Sequence, residues 1–116
     1  MFNIFKKKEN TIFDIATVSN NNVNDFLRSG QLQLIYLISP DFGGSEGREN
    51  QIVVTPQAAK EKDIIDDELY NFLSQGRSVK KFHVDLKYKG ESIVPSEIII
   101  TAIVDGNDYN KVITVW

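Results

Sequence analysis

Hydrophobic residues recur every three or four positions in the first two thirds of the chain, which predicts two helices. The shorter helix carries Val23, Phe26 and Leu27 on one face and ends at Gly30, since glycine readily adopts the left-handed conformation after a helix. The longer helix covers 56–75, where a threonine that can cap the helix precedes a proline suited to its first turn. Its apolar stripe consists of Ile65, Leu69, Phe72 and Leu73. Alternatively, Asp63 caps a later start and 57–62 form a separate turn.

The period shortens to two after residue 78, which predicts strands. One face of the first strand carries Phe82, Val84, Leu86 and Tyr88, and the other carries Lys81, His83, Asp85, Lys87 and Lys89. The segment 98–104 is apolar on both faces and should be central. A turn at 105–108 then leads into a last strand at 112–116. The chain is therefore expected to end in a three-stranded antiparallel meander.

Three further strands are predicted before the long helix begins, at 11–18, 31–38 and 51–55. The second is apolar on both faces, which favours a position inside a sheet, and it should pair with the third across a mobile loop at 41–50. Because no repeated βαβ pattern is present, the fold class is α+β rather than doubly wound. The sequence predicts two layers: a mostly antiparallel sheet of about five or six strands, covered by one long and one short helix.

The length of 116 residues, with 41% hydrophobic and 25% charged residues, predicts one domain over 1–116. Residues 1–10 are expected to form a frayed N-terminal segment. Their apolar residues precede their lysines, the reverse of the order in a secretory signal, and no apolar run is long enough to span a bilayer. We therefore expect a cytoplasmic protein.

The chain contains no cysteine, which excludes disulfides, thiolate zinc sites and cysteine nucleophiles. His83 is the only histidine, so an imidazole-based metal site or a Ser-His-Asp triad has little support. The glycine-rich stretch 43–48 lacks the Gly-Lys-Ser/Thr sequence that binds phosphates. No cofactor is predicted. The net charge of −3 argues against nucleic acid as the partner.

Charges of opposite sign are concentrated in neighbouring segments, 61–68 and 77–89. This segregation indicates a surface that could steer a charged partner, although acids early in a helix and lysines on an outer strand face also arise for solubility alone. The candidate partner-binding residues are Glu61, Asp63, Asp66, Asp67, Glu68, Lys81, His83, Lys87 and Lys89.

No catalytic constellation is visible, and the chain is expected to be a non-enzymatic module that binds another protein. A small bacterial inhibitor or immunity-type protein that blocks a toxin fits this size and acidity; its stretch 61–68 would mimic nucleic acid or meet a basic active site. One alternative is a small-ligand-binding protein or small enzyme with a pocket near the 41–50 loop. Another is a subunit of a larger bacterial or phage assembly, held by exposed edge strands.

Overall fold

A computed structural model describes residues 12–116. In this part of the chain the fold is α+β, with two α-helices and five strands. The elements are α1 (Val23–Ser29), β1 (Gln33–Tyr36), β2 (Gln51–Val54), α2 (Pro56–Ser74), β3 (Val79–Lys87), β4 (Glu97–Val104) and β5 (Asn107–Thr114). Single 3-10 turns occupy Ile15–Thr17, Pro40–Phe42 and Arg48–Asn50. Both predicted helices and the C-terminal meander are present.

The five strands form two antiparallel sheets, of two and three strands, rather than the single sheet of five or six predicted from the sequence. The predicted first strand is also wrong for residues 12–18, which hold the 3-10 turn Ile15–Thr17. That turn begins where the Asp14 carboxylate accepts a hydrogen bond from the Ala16 N–H. Side-chain capping of this kind competes with strand formation despite the β-branched composition.

The two-stranded sheet pairs β1 with β2, with Leu34 opposite Val53. This is the long-looped hairpin that the sequence predicts. The interior position expected for β1 is wrong, because a two-stranded sheet has only edge strands. The apolar residues on both faces of this hairpin have another cause. Val23 and Leu27 of α1 share a surface recess with Leu34 and Val53, while the opposite face of β2 enters the core. Hydrophobic periodicity cannot distinguish a central strand from one that lies beside helices.

Helix α2 begins and ends as its sequence predicts. The Thr55 side chain accepts a hydrogen bond from the Ala58 N–H, and a proline occupies the first turn. Gly76 follows the helix at a φ of 79°, a left-handed conformation that glycine adopts without steric cost. The helix packs against β1, β3 and β5, and Leu69 is fully buried. It therefore connects the two sheets.

The three-stranded sheet has the order β3-β4-β5. Alternate residues of β4 are buried, from Ile98 to Val104, so this sheet has an inner face towards the core and an outer face. A β-bulge interrupts β3: Lys80 lies opposite Ile103 and His83 lies opposite Thr101, which leaves two residues opposite Ala102. The bulge explains why the alternation predicted through this strand holds from 82 onward but fails at 81.

The buried hydrophobic residues form one cluster with contributions from both helices and both sheets. The prediction of two layers is not confirmed, because the hairpin of β1 and β2 is separate from the sheet of β3, β4 and β5. No helix in residues 12–116 is long and apolar enough to cross a membrane. The predicted frayed segment 1–10 lies outside the described residues.

Candidate functional site

The five acidic residues predicted to form a binding surface do not share one face of α2. Asp63 and Asp67 are exposed, and Glu61 is half-buried beside Gln57. Glu68 is exposed but accepts a hydrogen bond from the Tyr109 hydroxyl on β5. Asp66 is largely buried and pairs with Lys62. Successive residues of a helix are rotated by 100°, so the acidic residues between 61 and 68 lie on different sides of α2. Their negative charge is concentrated in the sequence but dispersed around the helix.

Asp66 forms an ion pair with Lys62 in the interior of the protein. The Lys62 Nζ lies 2.9 Å from Asp66 Oδ2, and their side chains are 2% and 16% exposed. Asp66 Oδ1 is buried and has no hydrogen-bond partner within the described residues. Burial raises the pKa of the Asp66 carboxyl above its ordinary value, and the hydrogen bond and charge of Lys62 oppose that shift. This carboxylate therefore has a structural role as the partner of Lys62.

The small recess beside this pair is lined by β1 and by the turn that follows it, through Ile35, Tyr36 and Ser39. Asp63 lies on its rim. The sequence placed Asp66 with the surface acids because its charge alone does not show that Lys62, four residues earlier, is buried. The one signal for that burial is that Lys62 lies on the same helical stripe as Ile65 and Leu69.

The residues of the predicted basic surface do not lie together on one face of the three-stranded sheet. Its outer face carries His83 and Lys87 together with Lys80, and the His83 Nε2 lies 3.1 Å from Oδ1 of Asp85. Lys89 lies beyond the end of β3, with its Nζ 4.7 Å from the centre of the Trp116 ring. The structure thus places His83 and Lys87 on the outer face of the sheet and separates them from Lys81 and Lys89.

Lys81 occupies the bulge, at a φ of 54°. It and Phe82 are the two residues opposite Ala102, whose side chain is buried on the inner face. The bulge therefore takes this lysine, next to Phe82, out of the regular alternation of the strand. A residue other than glycine at such a φ is uncommon, and positions of this type concentrate at functional sites.

An apolar cleft lies beside the bulge, between the C-terminal half of α2 and the start of β3. Its volume is about 170 Å³. The lining residues are Phe42, Leu69, Leu73, Val79 and Phe82. Leu73 is 44% exposed, which is unusual for a residue on the apolar stripe of its helix. We call this feature the Phe42 cleft. It lies where the sequence placed a pocket, next to the 41–50 loop, but most of its lining was not predicted.

The loop that carries Phe42 is held in place by its own hydrogen bonds. The Ser39 hydroxyl accepts from the Asp41 N–H, and the 3-10 turn that follows ends at Gly43, at a φ of 87°. Asn50 is buried; its Nδ2 donates to the carbonyls of Ile38 and Ser45. These contacts hold the two ends of the loop together, and its mobility stays a prediction. The amide of Asn50 substitutes for the backbone pairing that a regular hairpin would supply.

Phe42 reaches the sheet from this loop. Its ring centre lies 5.4 Å from that of Phe82, a separation typical of paired aromatic rings. One wall of the cleft is therefore already formed without a partner. A large aromatic residue within a glycine-rich loop was the sequence signal for this contact, because such a side chain needs apolar neighbours.

Residues 12–116 contain no group of three or more histidine, aspartate or glutamate residues that could hold a metal ion. The residues that line the Phe42 cleft all have apolar side chains, so within it no side chain can act as an acid, a base or a nucleophile. What this arrangement can do is bury an apolar group. No protein-family model matches the chain, and no curated protein is similar to it.

Proposed function

We propose that this chain is a non-enzymatic protein-binding module that takes an apolar side chain of its partner into the Phe42 cleft. The observation that carries the proposal is the half-exposed Leu73 at the mouth of a preformed apolar cleft. Residues that dominate binding energy in protein interfaces are anchors that fill such pockets. A wall that exists before binding also lowers the entropic cost of association.

The size of the cleft favours a protein side chain over a small ligand. Pockets for small molecules usually measure about 300–1,000 Å³ and combine apolar walls with a few polar groups. The Phe42 cleft, at about 170 Å³, is smaller, and no polar side chain lines it. It suits one leucine or phenylalanine side chain. For this reason we rank the small-ligand or small-enzyme alternative second.

The charge that precedes Phe82 in the chain indicates the kind of partner. Lys81 is exposed in the bulge next to Phe82, and it has no ion-pair partner among the described residues. A carboxylate placed near the apolar anchor of the partner would meet this ammonium group. The partner segment should therefore combine an apolar residue with a neighbouring aspartate or glutamate. The dispersal of the acidic residues around α2 is why we place the contact here rather than along 61–68.

The test uses a displayed library of random peptides, selected on the purified chain. We expect enrichment of peptides in which Leu, Ile, Phe or Trp lies within a few positions of an acid. A labelled synthetic peptide of the enriched sequence then gives dissociation constants by fluorescence polarisation. L73E should weaken binding at least about tenfold, or ~1.4 kcal/mol, because it replaces an apolar wall with a charge that repels the acid.

I64E is the matched control, since Ile64 is 62% exposed on the same helix and does not line the cleft. It should bind the peptide as well as the wild-type chain does. Equal loss in both variants, or enriched peptides without an apolar residue, would contradict the proposal.

A further inference from the structure

The two edges of the three-stranded sheet differ in how they are protected. Strand β3 forms one edge and carries the bulge together with three lysines, features that discourage pairing with another strand. Strand β5 forms the other edge and pairs with β4 in unbroken register over all eight residues. It has no bulge, no proline and one lysine. Within residues 12–116 no strand pairs with the outer edge of β5.

The backbone groups that point out of this edge follow from the turn. Asp105 and Gly106 form a two-residue turn that sets Val104 opposite Asn107, so these two residues exchange hydrogen bonds. In an antiparallel ladder every second residue bonds to the same neighbour. The N–H and C=O groups that face outward therefore belong to Asp108, Asn110, Val112 and Thr114.

We infer that β5 is a self-association edge, which pairs antiparallel with β5 of a second copy about a two-fold axis at Asn110. The second copy is the occupant because the strand is self-complementary in this register. Tyr109 then lies opposite Lys111 of the second copy, and Asp108 lies opposite Val112. A lysine already suits a tyrosine face here, since the Lys111 Nζ lies 5.4 Å from the Tyr109 ring of its own chain.

Other symmetric registers are less favourable. Moving the axis to Lys111 sets two lysines directly opposite each other, and like charges in that position repel. Moving it to Tyr109 shortens the overlap of the two strands from 107–113 to 107–111. An axis between two residues would set a residue of the inner face opposite a residue of the outer face. Such a register is impossible for a two-fold axis normal to the sheet, because that axis keeps each face on its own side. The axis at Asn110 thus combines the longest overlap with no like-charge pair.

This pairing would extend the sheet from three strands to six and leave the Phe42 cleft free, since no residue of β5 lines it. The inference consequently stands apart from the proposed function, and either can fail alone. It is the assembly alternative in a specific form: a closed pair of chains rather than an open array, because both copies use the same edge.

The absence of cysteine from the chain allows a direct test with single-cysteine variants. Residues opposite each other in hydrogen-bonded positions have Cα atoms about 5.5 Å apart, within the range that a disulfide spans. N110C should therefore form a covalent dimer on mild oxidation, seen on a non-reducing gel. D108C alone should stay monomeric, whereas an equimolar mixture of D108C with V112C should cross-link.

D85C is the control, on the outer face of β3 and well exposed. Sedimentation equilibrium of the cysteine-free chain should show a species of twice the chain mass. N110P should weaken this dimer at least about tenfold with an unchanged far-UV circular dichroism spectrum, because it removes an outward N–H and no bond to β4. A monomer at every concentration, or cross-linking of D85C as fast as N110C, would overturn the inference. A dimer in which N110C fails to cross-link would also overturn it.

Discussion

The ammonium group of Lys62 and the carboxylate of Asp66 form an ion pair 2.9 Å long that is almost completely removed from solvent. Two charges taken out of water stabilise a fold only when each has the other, because the desolvation of either one alone is uncompensated. The two residues lie one turn apart on α2, and the turn after β1 covers them. The pair therefore makes the docking of α2 against the hairpin of β1 and β2 sensitive to a single substitution.

Removing one partner of this pair should destabilise the protein strongly. D66A leaves the Lys62 ammonium buried and unpaired, and we expect a loss of about 3–5 kcal/mol in the free energy of unfolding. The double variant K62M/D66L, which replaces both charges with apolar groups, should recover most of that loss. Urea denaturation followed by circular dichroism measures both values.

The exposed pair of Arg28 and Asp25 on α1 is the control, with side chains 74% and 58% exposed and a separation of 2.6 Å. D25A should cost no more than about 1 kcal/mol. A double variant as unstable as D66A would show that the pair itself is not the source of the effect.

The ion pair of Arg77 and Asp105 predicts a dependence of stability on pH. The Arg77 guanidinium and the Ser78 N–H hold the pKa of Asp105 below its ordinary value. A carboxyl whose pKa is lower in the folded state stabilises the fold above its unfolded pKa of 3.8, and loses that effect as the pH falls through the lower folded value. The wild-type chain should therefore exceed D105N in stability at pH 7.

Asparagine suits this comparison because Asp105 has a φ of 51°, a conformation that asparagine also tolerates. Unfolding free energies measured between pH 7 and pH 2 should show a gap that is constant above about pH 5 and narrows through the acid range. A gap of constant size down to pH 2 would mean that the charge of Asp105 does not contribute.

A side chain at Gly44 should distort the loop that carries Phe42. A Cβ at this position would lie 1.9 Å from the Ile38 carbonyl oxygen and 2.9 Å from Asn50 Nδ2. G44A must shift the backbone, and we expect a loss of about 1–3 kcal/mol together with weaker binding of the selected peptide. G43A tests strain at a neighbouring position without that collision, since nothing lies within 4 Å of its Cβ. It should lose stability while it retains more of the peptide affinity than G44A.

Substitution of Lys81, in the bulge, should change stability and peptide affinity in opposite directions. Because a residue with a Cβ pays for the left-handed conformation, K81G should stabilise the fold by about 1 kcal/mol. The same change removes the ammonium that we propose meets the acid of the peptide, and it should weaken peptide binding about threefold to tenfold, as expected for one exposed charge pair of about 1 kcal/mol.

K80G is the companion variant, since Lys80 lies in the regular part of the strand on the outer face. It should lose about 0.5–1 kcal/mol and leave peptide binding unchanged. The reverse pattern in the two variants would place the binding surface on the outer face.

Local patterns predicted the elements whose signals are local. Helix α1 ends at a glycine, α2 begins at a capped proline, and β4 turns into β5 at Asp105 and Gly106; each of these signals lies within a few residues. The division of the strands into two sheets has no such signal. It depends on how α2 lies between distant segments, which hydrophobic spacing does not encode.

The candidate site was predictable only in part for the same reason. The sequence placed a pocket next to the 41–50 loop, but the contact between Phe42 and Phe82 joins residues forty positions apart. The charge pattern did not show that Asp66 pairs with a buried lysine, because the burial of Lys62 is a tertiary property. It also did not show the bulge at Lys81, where one extra residue interrupts the alternation of β3.

Lys62 also gives the protein a built-in chemical reporter. It is the one buried lysine among those in residues 12–116, whereas the others are exposed. Acylating reagents modify an amine only when they can reach it, so the exposed lysines should react within minutes and Lys62 only when α2 moves away from β1. The rate at which mass spectrometry detects its acylation would therefore measure how often this helix opens in the native protein.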